Sequence, residues 1–399
     1  MKDIVIIANF VGDLNGTDNV RFIYLANLLS RENNVELIAS TFNHGSKKHR
    51  TKINDYPFKV TLLHEPGYKK NICLKRFWSH YVWGKQVFKY IKSRKKPDVV
   101  YCAVPSLTAP AKVSEYCKKN GIRFIVDVQD LWPEAFQMVF NVPVLSKLIF
   151  APFMRLANKA YSNADEVIAV SQTYVDRALS VNKKGAKGLS VFLGTNLETF
   201  DENVKKNIES YKKKFPKEDQ IWIGYCGSLG KSYDLPIVFD ALSILRSIGK
   251  NAPKFIVMGD GLRRTEFESI AKNKEIDVLF TGRIPYDEMC ALLSLCDIVI
   301  NPIIGTSVAS IINKHADYAA VGKPVINTQN SNEYRNLIDT YNMGFNCNNH
   351  DSIAVANCIE KLVNDAQLRL AMGANARECA EELFDRKNRY GKIINCIIG

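Results

Sequence analysis

Short runs of aliphatic and β-branched residues recur along this chain, each followed by a longer stretch with apolar residues at helical spacing, and this alternation constrains the fold more than any other feature. The runs lie at residues 4–8, 35–39, 60–63, 99–103, 123–128, 167–170 and 191–193. Strands of this kind separated by helices build a parallel sheet of βαβ units. A polar, lysine-rich stretch at residues 201–220 interrupts the rhythm, which restarts with runs at 221–225, 255–258, 278–280, 298–300 and 325–327. A length of 399 residues exceeds one ordinary core, so the pattern predicts two α/β domains. The first is expected over residues 1–195 and the second over 196–380, with an exposed helix at 203–217 and a helical tail, 381–399, packing back on the first domain. Open α/β sheets bind ligands beyond the carboxyl ends of their strands. Two sheets with those ends facing make a cleft, so function is sought in the loops that leave the strands.

The remaining composition narrows the class. The run Ile4-Val5-Ile6-Ile7-Ala8 is too short for the core of a signal peptide and reads as a buried strand, so a cytoplasmic protein is expected. The longest apolar stretch, residues 140–157, is broken by Asn141, Ser146, Lys147 and Arg155 and holds Pro143 and Pro152, which argues against a membrane-spanning helix. Ten cysteines without a CxxC pair or zinc-like Cys/His spacing read as reduced thiols. A formal charge of +13 favours anionic partners. Much of it lies in residues 47–96, at Lys47, Lys48, Arg50, Lys69, Lys70, Lys75, Arg76, Lys92, Arg94, Lys95 and Lys96, interleaved with Phe77, Trp78, Tyr81, Trp83, Phe88 and Tyr90. This is either a solvated helix face or a patch that meets an anionic membrane surface. No zinc finger, RRM or helix-turn-helix signature accompanies it, so a nucleic-acid partner is not expected.

Several loops carry candidate chemistry. Gly12 and Gly16 flank the turn after the first strand, where the backbone can approach a ligand or simply turn. The fifth strand runs into Asp127-Val128-Gln129-Asp130-Leu131-Trp132-Pro133, which places two carboxylates at the sheet's carboxyl edge with an indole to wall a pocket. The plainer reading of Asp130 is a helix cap ahead of Pro133. In the second half, Gly227-Ser228-Leu229-Gly230-Lys231 follows a strand and suits phosphate contact through backbone N–H groups. Gly259-Asp260-Gly261 precedes Arg263 and Arg264, and Arg283-Ile284 follows another strand, where main-chain groups can read a base edge. A small-residue loop containing Ser307 then enters a helix near Asn313, which puts Lys314 in the first turn and Asp317 three residues on. A cation there opposes the helix dipole, so an anionic ligand would explain it.

Taken in order, these segments resemble the GT4 family of retaining glycosyltransferases with the GT-B fold, two Rossmann-like domains facing across a cleft, and especially members that make bacterial surface polysaccharides such as capsule and lipopolysaccharide. Asp127 to Pro133 is similar to the family's D-x-x-D-L-W-P, Gly259 to Gly261 to its G-D-G, and Lys314 to Val325 to its K-x-x-E-Y-x-A-x-G-K-P-V. The resemblance implies a nucleotide-sugar donor, UDP first and GDP or dTDP next, bound by the second domain around Gly227, Lys231, Gly259, Arg263, Arg283, Ile284, Ser307, Lys314 and Asp317, with Gly12 and Gly16 from the first. Lys314 would hold the diphosphate and Asp317 the ribose. The first domain would take a glycan or polyprenyl-linked acceptor, with Asp130 or Asp127 orienting its hydroxyl, at the inner face of the cell membrane. No metal or other cofactor is implied. Two departures stand out: Asp317 replaces the family's glutamate, and Ala309 replaces the first acidic residue of its E-x7-E pattern. Competing readings are a GT-B sugar-nucleotide 2-epimerase and a non-catalytic partner subunit.

Overall fold

A computed structural model describes the chain apart from residues 13, 15–19, 52, 72, 138–142, 251 and 305–310, with the backbone alone for 137 and 143–147. It divides into two compact units, Met1–Phe192 with Tyr390–Gly399, and Leu193–Arg389.

The first unit runs β1 (Asp3–Ile7), α1 (Arg21–Leu29), β2 (Asn34–Ser40), the short antiparallel pair β3 (Phe42–Asn43) and β4 (Lys48–His49), β5 (Lys59–Leu63), α2 (Leu74–Ser93), β6 (Val99–Val104) and α3 (Thr108–Asn120). It continues with β7 (Arg123–Val128), α4 (Glu134–Gln137), α5 (Pro143–Ser162), β8 (Glu166–Ala169), α6 (Gln172–Leu179) and β9 (Lys187–Ser190). Seven strands pair in parallel in the order β5-β2-β1-β6-β7-β8-β9. Ile4 to Ile7 are wholly buried because β1 is central, with β2 on one side and β6 on the other. The expected strand at 191–193 instead lies at β9, whose Lys187 and Gly188 are exposed at the edge of the sheet.

The second unit runs α7 (Leu197–Lys214), β10 (Trp222–Cys226), α8 (Leu235–Ser247), β11 (Lys254–Met258), α9 (Arg264–Asn273), β12 (Val278–Gly282), α10 (Tyr286–Ser294), β13 (Ile298–Asn301), α11 (Asn313–Ala320) and β14 (Val325–Asn327). There follow α12 (Asn332–Tyr341), β15 (Gly344–Asn346), α13 (Ser352–Asn364), α14 (Ala366–Cys379), a π turn at Ala380–Phe384 and α15 (Arg386–Arg389). Its six parallel strands are ordered β12-β11-β10-β13-β14-β15. α7 starts earlier than the lysine-rich composition suggested, because the Asn196 side chain accepts a hydrogen bond from Thr199 N and caps it.

The tail is shared between the units. Residues 380–389 stay with the second, where Arg386 donates to the Leu193 and Gly194 carbonyls at 2.9 Å each. Only Tyr390–Gly399 joins the first unit, where α16 (Gly391–Ile398) places Ile393 and Ile397 in its core.

Each sheet grows outward in opposite directions from a central pair, β1 and β6 in the first and β10 and β13 in the second. Loops leaving such a pair diverge, and the crevice between them is where doubly wound sheets hold ligands.

Candidate active site

At the second unit's central pair, the loops after β10 and β13 are stitched together: Asp234 N donates to Pro302 O at 2.8 Å and Ile304 N to Ser232 O at 3.0 Å. Over them stands Lys314, in the first turn of α11. It is only 8% exposed, and its Nζ finds no hydrogen-bond partner among the described residues. The ammonium lies between two aromatic faces, 4.1 Å from the Tyr225 ring centroid and 4.3 Å from that of Tyr233. These contacts return part of what desolvation costs a cation. Burial still pulls its pKa down to about 7. A buried cation without an acceptor calls for an anion, and a Cβ at Gly227 would stand 2.8 Å from Nζ, so the glycine leaves room beside it.

Asp317 does not pair with Lys314; its Oδ1 accepts from the Tyr286 hydroxyl at 2.7 Å, and that hydroxyl is 3.0 Å from Thr195 Oγ1. Burial raises its pKa to about 6, against the opposing effect of the Tyr286 hydrogen bond. Although three residues apart on one helix, the two therefore form no ion pair with each other. α11 is pinned by residues that the sequence reading passed over. The Tyr318 hydroxyl accepts from Cys226 N and donates to Ile300 O, both at 3.0 Å, and so ties the helix to β10 and β13. His315 stacks on Tyr334 with ring centroids 3.4 Å apart and lies 3.2 Å from the Asn301 amide nitrogen. Asn301 donates to Asn327 and Asn327 to Asn346, each at 2.9 Å, a ladder across the ends of β13, β14 and β15. Its signal was present: each of these strands ends in asparagine, at Asn301, Asn327 and Asn346.

The glycine loops hold one another before any ligand. Gly227 N donates to Met258 O at 2.9 Å and Leu229 N to Asp260 O at 3.0 Å, so these two amides are not open to a phosphate as expected. A Cβ at Gly259 would strike the Gly227 carbonyl, and one at Gly261 the Leu229 carbonyl; both glycines serve this close approach. Arg263 is engaged by Glu266 at 2.5 and 2.8 Å rather than standing open. Lys231 and Arg283 are exposed and Ile284 is half-buried. Gly16, Ser307 and Ala309 lie outside the described residues.

In the first unit the two aspartates part ways. Asp127 is wholly buried, accepting from Arg21 Nε at 2.9 Å, the Tyr101 hydroxyl at 2.7 Å and Gln129 Nε2 at 3.2 Å. That corrects its expected role, because a carboxylate shut from solvent and occupied by three donors has nothing left to orient a substrate. Asp130 is half-buried, accepts from Trp132 Nε1 at 3.1 Å, and has its pKa raised by burial. Gly12 is half-buried and its carbonyl accepts from Arg50 Nη1 at 2.6 Å. Among the described residues no three His, Cys, Asp or Glu side chains group as metal ligands, and no helix is long and apolar enough to cross a membrane.

Two doubly wound parallel sheets, with a buried lysine at the central crevice of the second, define a protein with the two Rossmann-like domains of the GT-B fold. Anabaena HepE has the same fold: its complex with UDP superposes with a TM-score of 0.73 over 99% of each chain at 16% identity, and its complex with UDP-glucose with 0.71 over 100% of each. Residues 207–379 match the family described as Glycosyl transferases group 1, so the chain carries a group 1 glycosyltransferase domain. Among named relatives, the chain is 24% identical to Escherichia coli (strain K12) WcaI, named as a colanic acid biosynthesis glycosyl transferase, over 77% of this chain and 75% of that protein. It is 25% identical to Staphylococcus aureus CapM, a capsular polysaccharide biosynthesis glycosyltransferase, over 55% of this chain and 58% of that one.

Proposed function

We propose that this protein is a retaining glycosyltransferase of cell-surface polysaccharide biosynthesis, moving a sugar from a nucleoside diphosphate, UDP before GDP or dTDP, to a glycan or polyprenyl-linked acceptor. The observation that carries this reading is the Lys314 ammonium at the crevice of the second sheet, buried and without a hydrogen-bond partner among the described residues. When the bond between the anomeric carbon and the diphosphate oxygen breaks, negative charge grows on the departing oxygen, and a preorganised cation stabilises it more than it stabilises the bound donor. Lys314 fills this role, and the exposed Lys231 adds to the field. Asp317 accepts from the ribose hydroxyls while Tyr286 fixes its orientation. Asp130 orients the acceptor hydroxyl for attack on the face that the diphosphate leaves. No metal takes part. The names of WcaI and CapM support the polysaccharide context, and the ligands of HepE support UDP.

The same reading places the protein at the inner face of the membrane. On α2, Leu74 (87% exposed), Trp78 (58%) and Tyr81 (41%) form an apolar strip that continues into Lys85, Lys89 and Lys92, a composition suited to an anionic lipid surface.

Thermal melting with UDP, GDP and dTDP in EDTA tests the donor assignment, since a ligand that binds only the folded state raises its melting temperature. UDP should give the largest rise. No rise with any of the three, or rises that require manganese or magnesium, would overturn it. Incubation with UDP-sugar alone should give at most slow hydrolysis, whereas isomerised donor would establish the epimerase instead.

A further inference from the structure

We infer that the cluster of cations and aromatic rings at the N-terminal end of α2 binds a phosphoryl group of the acceptor, with Arg76 and Lys47 as its cationic ligands and Trp132 beside them. The inference rests on the reading of the first unit as the acceptor domain.

Arg76 lies in the first turn of α2 and is only 8% exposed, yet no carboxylate lies within 4.0 Å of it among the described residues. Its Nη1 donates to Asn71 O at 2.7 Å, while its Nε is buried without a partner. Four other arginines of this unit that are withdrawn from solvent meet carboxylates, Arg21 with Asp127, Arg94 with Asp3, Arg123 with Glu166 and Arg177 with Glu134, while Arg50 donates to the Ser40 and Gly12 carbonyls. What surrounds Arg76 instead is aromatic, with its guanidinium carbon 4.3 Å from the Trp132 ring centroid and 5.6 Å from that of Tyr68.

A second cation lies against the same rings. Lys47 Nζ is 4.9 Å from the Tyr68 ring centroid and donates to Asn71 Oδ1 at 2.5 Å, and its pKa is brought down to about 8 by burial and by the nearby Arg76. His44 and His80 stand beside the two cations and are held neutral, first by burial and then by that charge. The neighbouring acids, of which Asp130 attracts Arg76 from a distance, form no ion pair with either cation among the described residues. Glu65 is taken by Asn9, Ser40 and Ser79, with His80 at 3.9 Å, and Asp130 accepts from Trp132. Among the described residues no side chain caps the start of α2, so the positive end of its dipole adds to the same field. Two cations on a wall of aromatic rings, short of counter-charge and at a helix N-terminus, suit a phosphate or diphosphate. The exposed Leu74 and Trp78 beside it would accept an attached lipid chain.

The test is titration calorimetry on the full chain in saturating UDP, which fills the donor site, with inorganic pyrophosphate, farnesyl diphosphate and farnesol as probes. Both diphosphates should bind and farnesol should not compete with pyrophosphate. Arg76→Gln should weaken both by about tenfold to a hundredfold. Lys47→Gln, at a half-exposed position where misfolding is not in question, should weaken them severalfold. Farnesyl diphosphate binding much tighter than pyrophosphate would support a lipid-linked source, and equal affinities would support the phosphoryl group alone. No binding by either diphosphate, or wild-type affinity in both variants, would overturn the site. A separate titration of UDP into the ligand-free chain, and into Lys314→Met, reports on the donor reading, so failure of one is not failure of the other.

Discussion

Replacing Lys314 with methionine should make the ligand-free protein more stable and the enzyme much worse. The side chain keeps its length and its contacts with Tyr225 and Tyr233 but loses a charge that no described residue pairs. A lysine that titrates at about 7 instead of its ordinary 10.5 carries, at about 1.4 kcal/mol per pH unit, a folded-state cost of roughly 5 kcal/mol in its charged form. The two tyrosine faces return about 1–2 kcal/mol each. The net gain of Lys314→Met is therefore about 1–3 kcal/mol at neutral pH, a rise in melting temperature of several degrees for a unit of this size. Its pH dependence follows from the direction of the shift. Between about 7 and 10.5 the unfolded chain binds the proton that the folded one has lost, so wild-type stability climbs with pH across that window. The advantage of the variant is full below about 7 and disappears toward 10.5. Donor binding should run the other way. Wild-type affinity for UDP should fall as pH rises above about 7, because the free lysine is then neutral, while the variant should bind weakly at every pH and lose on the order of 100-fold or more in turnover. Calorimetric melting with and without UDP from pH 6 to 10, beside steady-state kinetics, measures both arms. A variant that melts below wild type at pH 7, or that UDP stabilises as strongly as wild type, would refute the assignment of Lys314 as an unpaired cation awaiting an anion.

Asp317→Ala should weaken donor binding by about tenfold to a hundredfold with a smaller effect on kcat, since a ribose contact changes little during bond cleavage; steady-state kinetics separates the two. Asp127→Asn should cost about 3–5 kcal/mol in urea unfolding by leaving the buried Arg21 without its counter-charge, whereas Asp130→Asn should leave the unfolding curve near that of wild type and lower transfer. Sedimentation with vesicles should show binding that grows with anionic lipid, falls with salt and weakens in Trp78→Ala; equal binding to neutral vesicles would remove the electrostatic argument.

The strands that run through the middle of each sheet were legible because burial on both faces demands unbroken apolar runs such as Ile4 to Ile7 and Ile298 to Ile300. The edge strands β9 and β15 were not. Lys187 and Gly188 carry no apolar pattern, and Gly344–Asn346 is too short to show one. Lys314 could be placed in the first turn of a helix, since that needs only local spacing, and Asp127 and Asp130 could be placed where a strand ends.

The amino-acid sequence by itself therefore determined the two α/β units, the order of their elements and the loops that carry the candidate chemistry. Only the tertiary structure decided what each charged group meets. Asp127 and Asp130 are three positions apart, yet one is locked to Arg21, 106 residues away, and the other is left half-open beside Trp132. Lys314 meets the rings of Tyr225 and Tyr233 and no acceptor among the described residues, while Asp317 in the next turn is claimed by Tyr286. The physical reason is one of range. Periodicity and capping act over a few residues and can be read along the chain, whereas the burial and pairing of a charge depend on segments that meet only when the sheet is assembled.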